Sequence, residues 1–321
     1  MAPIQPGGKE KTMWLNQRKQ QILVTGGTGF IGAALCQQLT MEGHDLTVLT
    51  RDAVKAQRIF GVSLREVEHL HEIPRDCTFN VVINLAGEPL ASGRWSKKRK
   101  AKFVESRIGT TEALLGYFKD RKQHPDVLVN GSAIGYYGPH NDEVLDEAGH
   151  GVPSFSHALC RDWESAADAF TALGTRVCKI RTGIVLGPNG GALKSMMPAF
   201  RLGLGGPMGD GSQWMSWIHR QDLIRLIYHC INHSTIQGVL NGTAPNPVRN
   251  EEFCQALAAA LGKRAPLRVP ASVLRLMMGE MADELLLTGQ QVVPAYALES
   301  GFEFEYPELQ GALANVVGSW G

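Results

Sequence analysis

The segment Thr25-Gly-Gly-Thr-Gly-Phe-Ile-Gly32 most narrows what this chain can fold into. It follows a short apolar run, Gln21-Ile-Leu-Val-Thr25, and opens an amphipathic stretch in which Ile31, Leu35 and Leu39 recur every fourth residue. That order reads as strand, glycine turn, helix. Gly26 permits the tight turn, Gly29 lets the backbone approach a pyrophosphate, and Gly32 allows the helix to pack closely on the sheet. The helix N-terminus adds N–H donors and the positive end of its dipole. A glycine triplet alone is a weak signal, but this one sits between strand and helix at the start of an α/β pattern.

Apolar, β-branched runs recur along the chain at about 46–50, 79–85, 127–131, 176–182 and 238–242. Helical patterns lie between them, at about 30–42, 96–120, 157–172, 220–232 and 250–262. Alternation of this kind predicts a parallel sheet with helices on both faces. Right-handed crossovers then make it a doubly wound α/β sheet of Rossmann type. The 36 glycines in 321 residues exceed the roughly 7% average, as many tight strand-to-helix turns require. We expect a core over 21–183. A mixed segment, 184–321, completes the sheet with the strand near 238–242 and adds a smaller substrate-side subdomain. Residues 1–20 are polar and basic and read as a disordered extension.

Composition excludes several classes. The formal net charge is +1, so nothing in the charge balance draws the chain to nucleic acid or an anionic membrane. No apolar run reaches the roughly 18–20 residues of a membrane span. The six cysteines (36, 77, 160, 178, 230 and 254) are dispersed and include no CxxC pair. They read as reduced, non-metal cysteines of a cytoplasmic protein. His69-Leu-His71-Glu72 hints at metal ligands, but its alternation reads better as a solvent-facing strand segment, so we expect no metal.

The second strand ends Leu49-Thr50-Arg51. An NAD site usually places Asp or Glu there to accept from the ribose 2′-OH. Arg51 instead offers a planar cation suited to a 2′-phosphate. NADP(H) is the preferred cofactor on this reading, with NAD(H) left open by Asp52.

Three motifs together resemble the extended and atypical short-chain dehydrogenases/reductases: the glycine turn, Asn84-Leu-Ala-Gly87 and Gly131-Ser-Ala-Ile-Gly-Tyr-Tyr-Gly138. Asn84 to Pro89 with Arg94-Trp95, Ser106-Arg107, Arg181 to Leu186, Phe200 to Pro207 and Trp217-Ile-His219 resemble one branch more closely. That branch is the epimerase family of the SDR39U1-like, bacterial YfcH type, with a C-terminal DUF1731-like region from about residue 266. The likeness runs from about Gln21 to Val317.

The resemblance implies that Gly26, Thr28, Gly29, Phe30, Ile31 and Gly32 hold the pyrophosphate and Arg51 the 2′-phosphate. Leu85, Ala86 and Gly87 would border adenine and ribose. Ser106-Arg107 either supports that pocket or packs its own helix. Ser132 matches the superfamily's catalytic serine, and Tyr136 or Tyr137 could donate a proton. The superfamily's acid is normally a Tyr-x-x-x-Lys pair, one helical turn apart. Four residues after Tyr117, Tyr136, Tyr137, Tyr228, Tyr296 and Tyr306 stand Arg121, His140, Asn141, Asn232, Ser300 and Gln310. The pair is absent. Anchored on Glu164, the tyrosine position becomes Ser156 and the lysine position Cys160.

His157, beside Ser156, is expected on the surface. Asp222 is expected to cap the helix that His219 precedes, and the basic run Arg94–Lys102 to form a solvated helix face. Arg181, Arg201 and Arg249 could clamp an anionic substrate. Two functions stay open: an oxidoreductase or nucleoside-sugar-epimerase-like protein acting by hydride transfer on an unidentified small molecule, or an NADP(H)-binding sensor or scaffold without turnover. The oligomeric state is not legible.

Overall fold

The computed structural model describes residues 19–320. Most of the segment expected to be an extension, residues 1–18, lies outside the described residues. The elements begin β1 (Gln21–Thr25), α1 (Phe30–Met41), β2 (Asp45–Leu49), α2 (Ala53–Phe60), β3 (Arg65–Val67) and β4 (Val81–Asn84). There follow α3 (Lys97–Val104), α4 (Thr110–Arg121), β5 (Val127–Ala133), β6 (Val144–Leu145), α5 (Phe155–Asp168) and β7 (Arg176–Thr182). Then come β8 (Ile184–Leu186), α6 (Gly191–Arg201), β9 (Trp214–Met215), β10 (Trp217–His219), α7 (Arg220–Asn232) and β11 (Gly238–Gly242). The chain closes with β12 (Val248–Arg249), α8 (Asn250–Ala260), α9 (Ala271–Met278), α10 (Glu280–Leu285), β13 (Gln291–Val292), α11 (Ala295–Glu299) and α12 (Leu309–Gly318).

Seven parallel strands form the central sheet in the order β11-β7-β5-β4-β1-β2-β3. The order reverses between β1 and β4, and ligands of open α/β sheets bind outside the strand ends at such a reversal. Thr25 is in register with Leu49 on one side and Asn84 on the other, so three strand ends finish level there.

Alternation along the strands divides the core between two faces. Ile22, Val24, Val48, Ile83 and Ile180 pack with Leu35 and Leu39 of α1 and Leu223 and Ile227 of α7. Leu23, Val82, Leu128 and Val177 pack on the other face with Leu114 and Phe118 of α4 and Phe170. Both faces are buried, which is why these strands read as continuous apolar runs. A separate cluster joins Leu193 and Phe200 of α6, Phe253 and Leu257 of α8 and Leu313 and Val316 of α12.

Three local expectations change. The helix expected over 96–120 is α3 and α4 joined by a π-helical segment, Glu105–Gly109. His69–Glu72 is no strand: the short β3 ends at Val67 and Leu70–Glu72 is a 3-10 turn, with Glu72 accepting the N–H of Glu68 at 2.9 Å. Asp222 does not cap α7. His219 Nδ1 does, accepting the N–H of Gln221 at 3.2 Å. Asp222 is fully buried and accepts the N–H groups of Glu305 (2.8 Å) and Tyr306 (2.9 Å), tying the C-terminal chain to α7.

Candidate active site

The glycine turn is shaped by contacts a side chain would forbid. Gly26 has φ +68°, and a Cβ there would stand 2.4 Å from the Leu85 carbonyl oxygen. At Gly32 a Cβ would stand 2.3 Å from the Gly26 carbonyl oxygen. The turn is therefore pressed between β4 and its own helix. Gly29 precedes α1 as its N-cap and offers no capping side chain, so the first N–H groups of the helix remain for a ligand anion. Thr28 sits in the turn itself. This cradle fits a dinucleotide's pyrophosphate.

Beneath the turn lies a buried polar floor. Thr25 Oγ1 is 2.6 Å from Asn84 Oδ1 and accepts the N–H of Ala86 at 3.1 Å. Asn84 Nδ2 donates to Asn130 Oδ1 (2.6 Å) and Thr111 Oγ1 (2.8 Å), and Trp163 Nε1 donates to the same threonine at 3.1 Å. The network holds the end of β4 so that Leu85, Ala86 and Gly87 face a cleft of about 320 Å³. Ile31, Arg107, Ser132, Ser156, Cys160, Trp163 and Glu284 also line it.

The π-helical segment carries Arg107 under Gly87, where a Cβ would lie 2.9 Å from the guanidinium carbon. Arg107 donates to the Glu88 carbonyl at 3.1 Å, and Ser106 Oγ accepts the N–H of Glu88 at 2.9 Å. Both residues thus brace the pocket. Phe30 turns elsewhere. Its ring packs against Gly187, Gly190 and Gly191 with Arg220 above it at 4.9 Å, so its side chain joins the turn to the later glycine-rich loop. Arg51 is 83% exposed, 3.4 Å from Glu88 Oε2. Asp52 is committed as the cap of α2, accepting the N–H of Lys55 at 2.8 Å.

Ser132 lines the cleft and donates to Glu164 Oε1 at 2.7 Å. Arg181 grips the same carboxylate in two places, Nε to Oε1 at 2.9 Å and Nη2 to Oε2 at 3.0 Å, with both residues buried. Burial pulls the Arg181 guanidinium down, but its bonds to Glu164 outweigh this and leave it above its ordinary value. The other two arginines expected as a clamp lie apart from it. Arg249 pairs with Asp142 at 2.6 Å, and Arg201 lines a separate cleft beside Trp320.

Neither tyrosine lines this cleft, which corrects both as proton donors to it. Tyr137 is fully buried, its hydroxyl 2.7 Å from Asn241 Oδ1 and 2.8 Å from the Asp146 carbonyl. Burial pushes its phenol up to about 12. The Tyr136 ring is covered by the Arg181 guanidinium, 3.3 Å from the ring centroid. His157 is half-buried rather than on the surface, because its Nδ1 binds the Tyr136 carbonyl.

What stands at the missing tyrosine's position is a pair. Ser156 Oγ donates to Glu284 Oε2 at 2.7 Å, and the N–H groups of Phe155 and Ser156 donate to the same carboxylate at 3.2 Å. Glu284 arrives from α10, so the C-terminal region places a carboxylate on the cleft. One helical turn on, burial pushes the Cys160 thiol up to about 11, so it supplies no charge in place of the lysine. Glu284 is not legible in the sequence, because no local pattern joins it to Ser156. The basic run expected as a solvated face is partly engaged as well: Lys100 pairs with Glu280 at 2.7 Å and lies over the Phe155 ring at 4.4 Å.

A glycine turn at a sheet reversal, a level strand end and a lined cleft define a dinucleotide-binding α/β protein of the short-chain dehydrogenase/reductase type. Residues 22–241 match the NAD dependent epimerase/dehydratase family, and residues 269–316 match DUF1731, a domain of unknown function. The chain belongs to that epimerase/dehydratase family, in the branch that carries DUF1731 and includes the SDR39U1 epimerase family proteins. It is 39% identical to the chloroplastic SDR39U1 homolog of Arabidopsis thaliana, over 97% of this chain and 92% of that one. It is 37% identical to SDR39U1 of Homo sapiens, over 92% and 99%. The crystal structure of human SDR39U1 (isoform2) with NADPH superposes with a TM-score of 0.83 at 35% identity, covering 93% of this chain and 99% of that one. No helix among the described residues is long and apolar enough to cross a membrane.

Proposed function

We propose that this chain is an NADP(H)-dependent oxidoreductase that interconverts an alcohol and a carbonyl on a small molecule. The observation that carries the reading is one cleft lined at once by the turn residue Ile31, by Leu85–Gly87, by Ser132 and by the Ser156–Glu284 pair. Binding of NADPH by the human relative supports the cofactor. Arg51, exposed at the end of β2, supports recognition of a 2′-phosphate. Asp52, held as a helix cap, argues against the ribose contact of an NAD site.

When bound, the nicotinamide supplies or takes up hydride. The protein's own groups handle the substrate oxygen. Ser132 has its proton committed to Glu164 and presents lone pairs to a substrate hydroxyl. Ser156 passes the proton between that oxygen and the Glu284 carboxylate. The apolar lining, Ile31, Leu85, Leu159 and Trp163, excludes water. Free cysteines, five of the six buried, support a reducing, cytoplasmic setting.

Titration with NADPH and NADH, followed by nicotinamide fluorescence, tests the cofactor assignment. NADPH is expected to bind more tightly. Arg51→Ala should weaken it about tenfold or more while leaving NADH within about twofold, because only the 2′-phosphate contact is lost. An Arg51→Ala protein that keeps its NADPH preference sinks this assignment. The absence of any tyrosine from the cleft favours a second reading, a sensor that binds NADPH and transfers nothing.

A further inference from the structure

Beyond the cleft, three side chains converge on one loop. The chain turns at Gly138 (φ +70°) and returns at Val152, whose N–H donates to the Tyr137 carbonyl at 2.7 Å. His140 stands on the outgoing arm and His150 on the returning arm, their ring centroids 5.2 Å apart. The loop is anchored from outside as well: Gln290 Nε2 donates to the Gly138 carbonyl at 2.6 Å, His140 bridges to Gly289, and β6 pairs with β13. Ligand atoms of His140, Glu143 and His150 all lie within 4.8 Å of one another.

The hydrogen bonds around His140 are telling. Its Nε2 lies 3.3 Å from the His150 carbonyl, which can only accept. Its Nδ1 lies 2.9 Å from Glu143 Oε2. In the tautomer whose Nε2 donates to that carbonyl, Nδ1 keeps its lone pair beside the Glu143 carboxylate, as a metal ligand requires. A backbone carbonyl holding the far ring nitrogen is how metal-binding histidines are commonly oriented. The His140 side chain is 5% exposed and Glu143 53%, so the cluster has one rigid ligand and one side open to water.

We propose that His140, Glu143 and His150 bind a divalent transition-metal ion. Two imidazoles and a carboxylate with an open fourth position suit Zn(II). Such an ion would clamp the two arms of the loop. Through the contacts at Gly289 and Gln290 it would also stiffen a wall of the cleft.

The test uses tag-free protein stripped with a chelator and titrated with ZnCl2 by calorimetry, with Co(II) absorption as a second readout. One equivalent is expected to bind and to raise the melting temperature. His140→Ala and His150→Ala should each weaken binding at least about 100-fold, more than loss of an outer-shell partner does. His69→Ala, in the His69–His71 pair, should change nothing. His150 is exposed, so its variant is expected to melt like the metal-free wild type, which separates ligand loss from misfolding. Failure of the wild type to take up one equivalent overturns the proposal. So does undiminished binding in both His140→Ala and His150→Ala.

Discussion

His219 shows at the scale of one residue how a position can matter without touching the cleft. It ends β10, caps α7 and packs at a tilt against Tyr306 with ring centroids 4.0 Å apart. Burial lowers its imidazole to about 4. The unfolded chain therefore takes up a proton near pH 6.5 while the folded protein does not until about pH 4. Stability contributed by the neutral ring is present above the unfolded value and is lost as pH falls through that window, by about 3 kcal/mol in all. Urea denaturation between pH 7 and pH 4.5 should show this loss. His219→Asn keeps a capping side chain and should flatten the pH dependence by about one proton. Identical slopes for the two proteins would contradict the assignment. Residues of this kind are partly legible. The position of Arg51 was readable because the end of β2 is marked by its apolar run. Glu284 was not, since it meets Ser156 only through folding across a separation of 128 residues.

Among the elements, those specified by local spacing were read well and those specified by phase were not. The β1–α1 unit announces itself because three glycines must stand where β4 and the helix press on the turn. Two substitutions separate the reasons. Gly43→Ala places a side chain at φ +86° with no atom within 4 Å of its Cβ, and should cost about 1 kcal/mol of conformational strain. Gly26→Ala meets similar strain and a backbone oxygen at 2.4 Å, and neither partner is a flexible side chain. Its cost in urea denaturation should exceed that of Gly43→Ala by at least about 1–2 kcal/mol, with NADPH affinity falling as well. Equal costs would show that the turn is not pressed against Leu85. The helix expected over 96–120 hides its π-helical segment, because one extra residue per turn barely disturbs an apolar pattern. Yet that segment presents Arg107 to Gly87. The alternation at His69–Glu72 misled for a related reason: four residues are too few to distinguish a strand from a turn.

The whole molecule joins two parts that alternation alone does not connect. The sheet supplies the cradle and Ser132, while the DUF1731 segment supplies Glu284 and, through Glu305 and Tyr306, rests on buried Asp222. The doubly wound parallel sheet followed from the β/α alternation and the handedness of crossovers. The route of the C-terminal chain back to the N-terminus of α5 did not, because it rests on side-chain contacts rather than on periodicity. The returning carboxylate is proposed to exchange the substrate's proton in an NADP(H) site. The most direct measurement follows deuterium from 4-deuterated NADPH into a panel of small carbonyl compounds, with wild type and Glu284→Gln side by side. Label should appear in an alcohol product of the wild type. Glu284→Gln should bind NADPH equally well and transfer label at least about 100-fold more slowly, the size expected for loss of general acid–base catalysis. Tight NADPH binding with no label transferred, or transfer by Glu284→Gln at the wild-type rate, would contradict it.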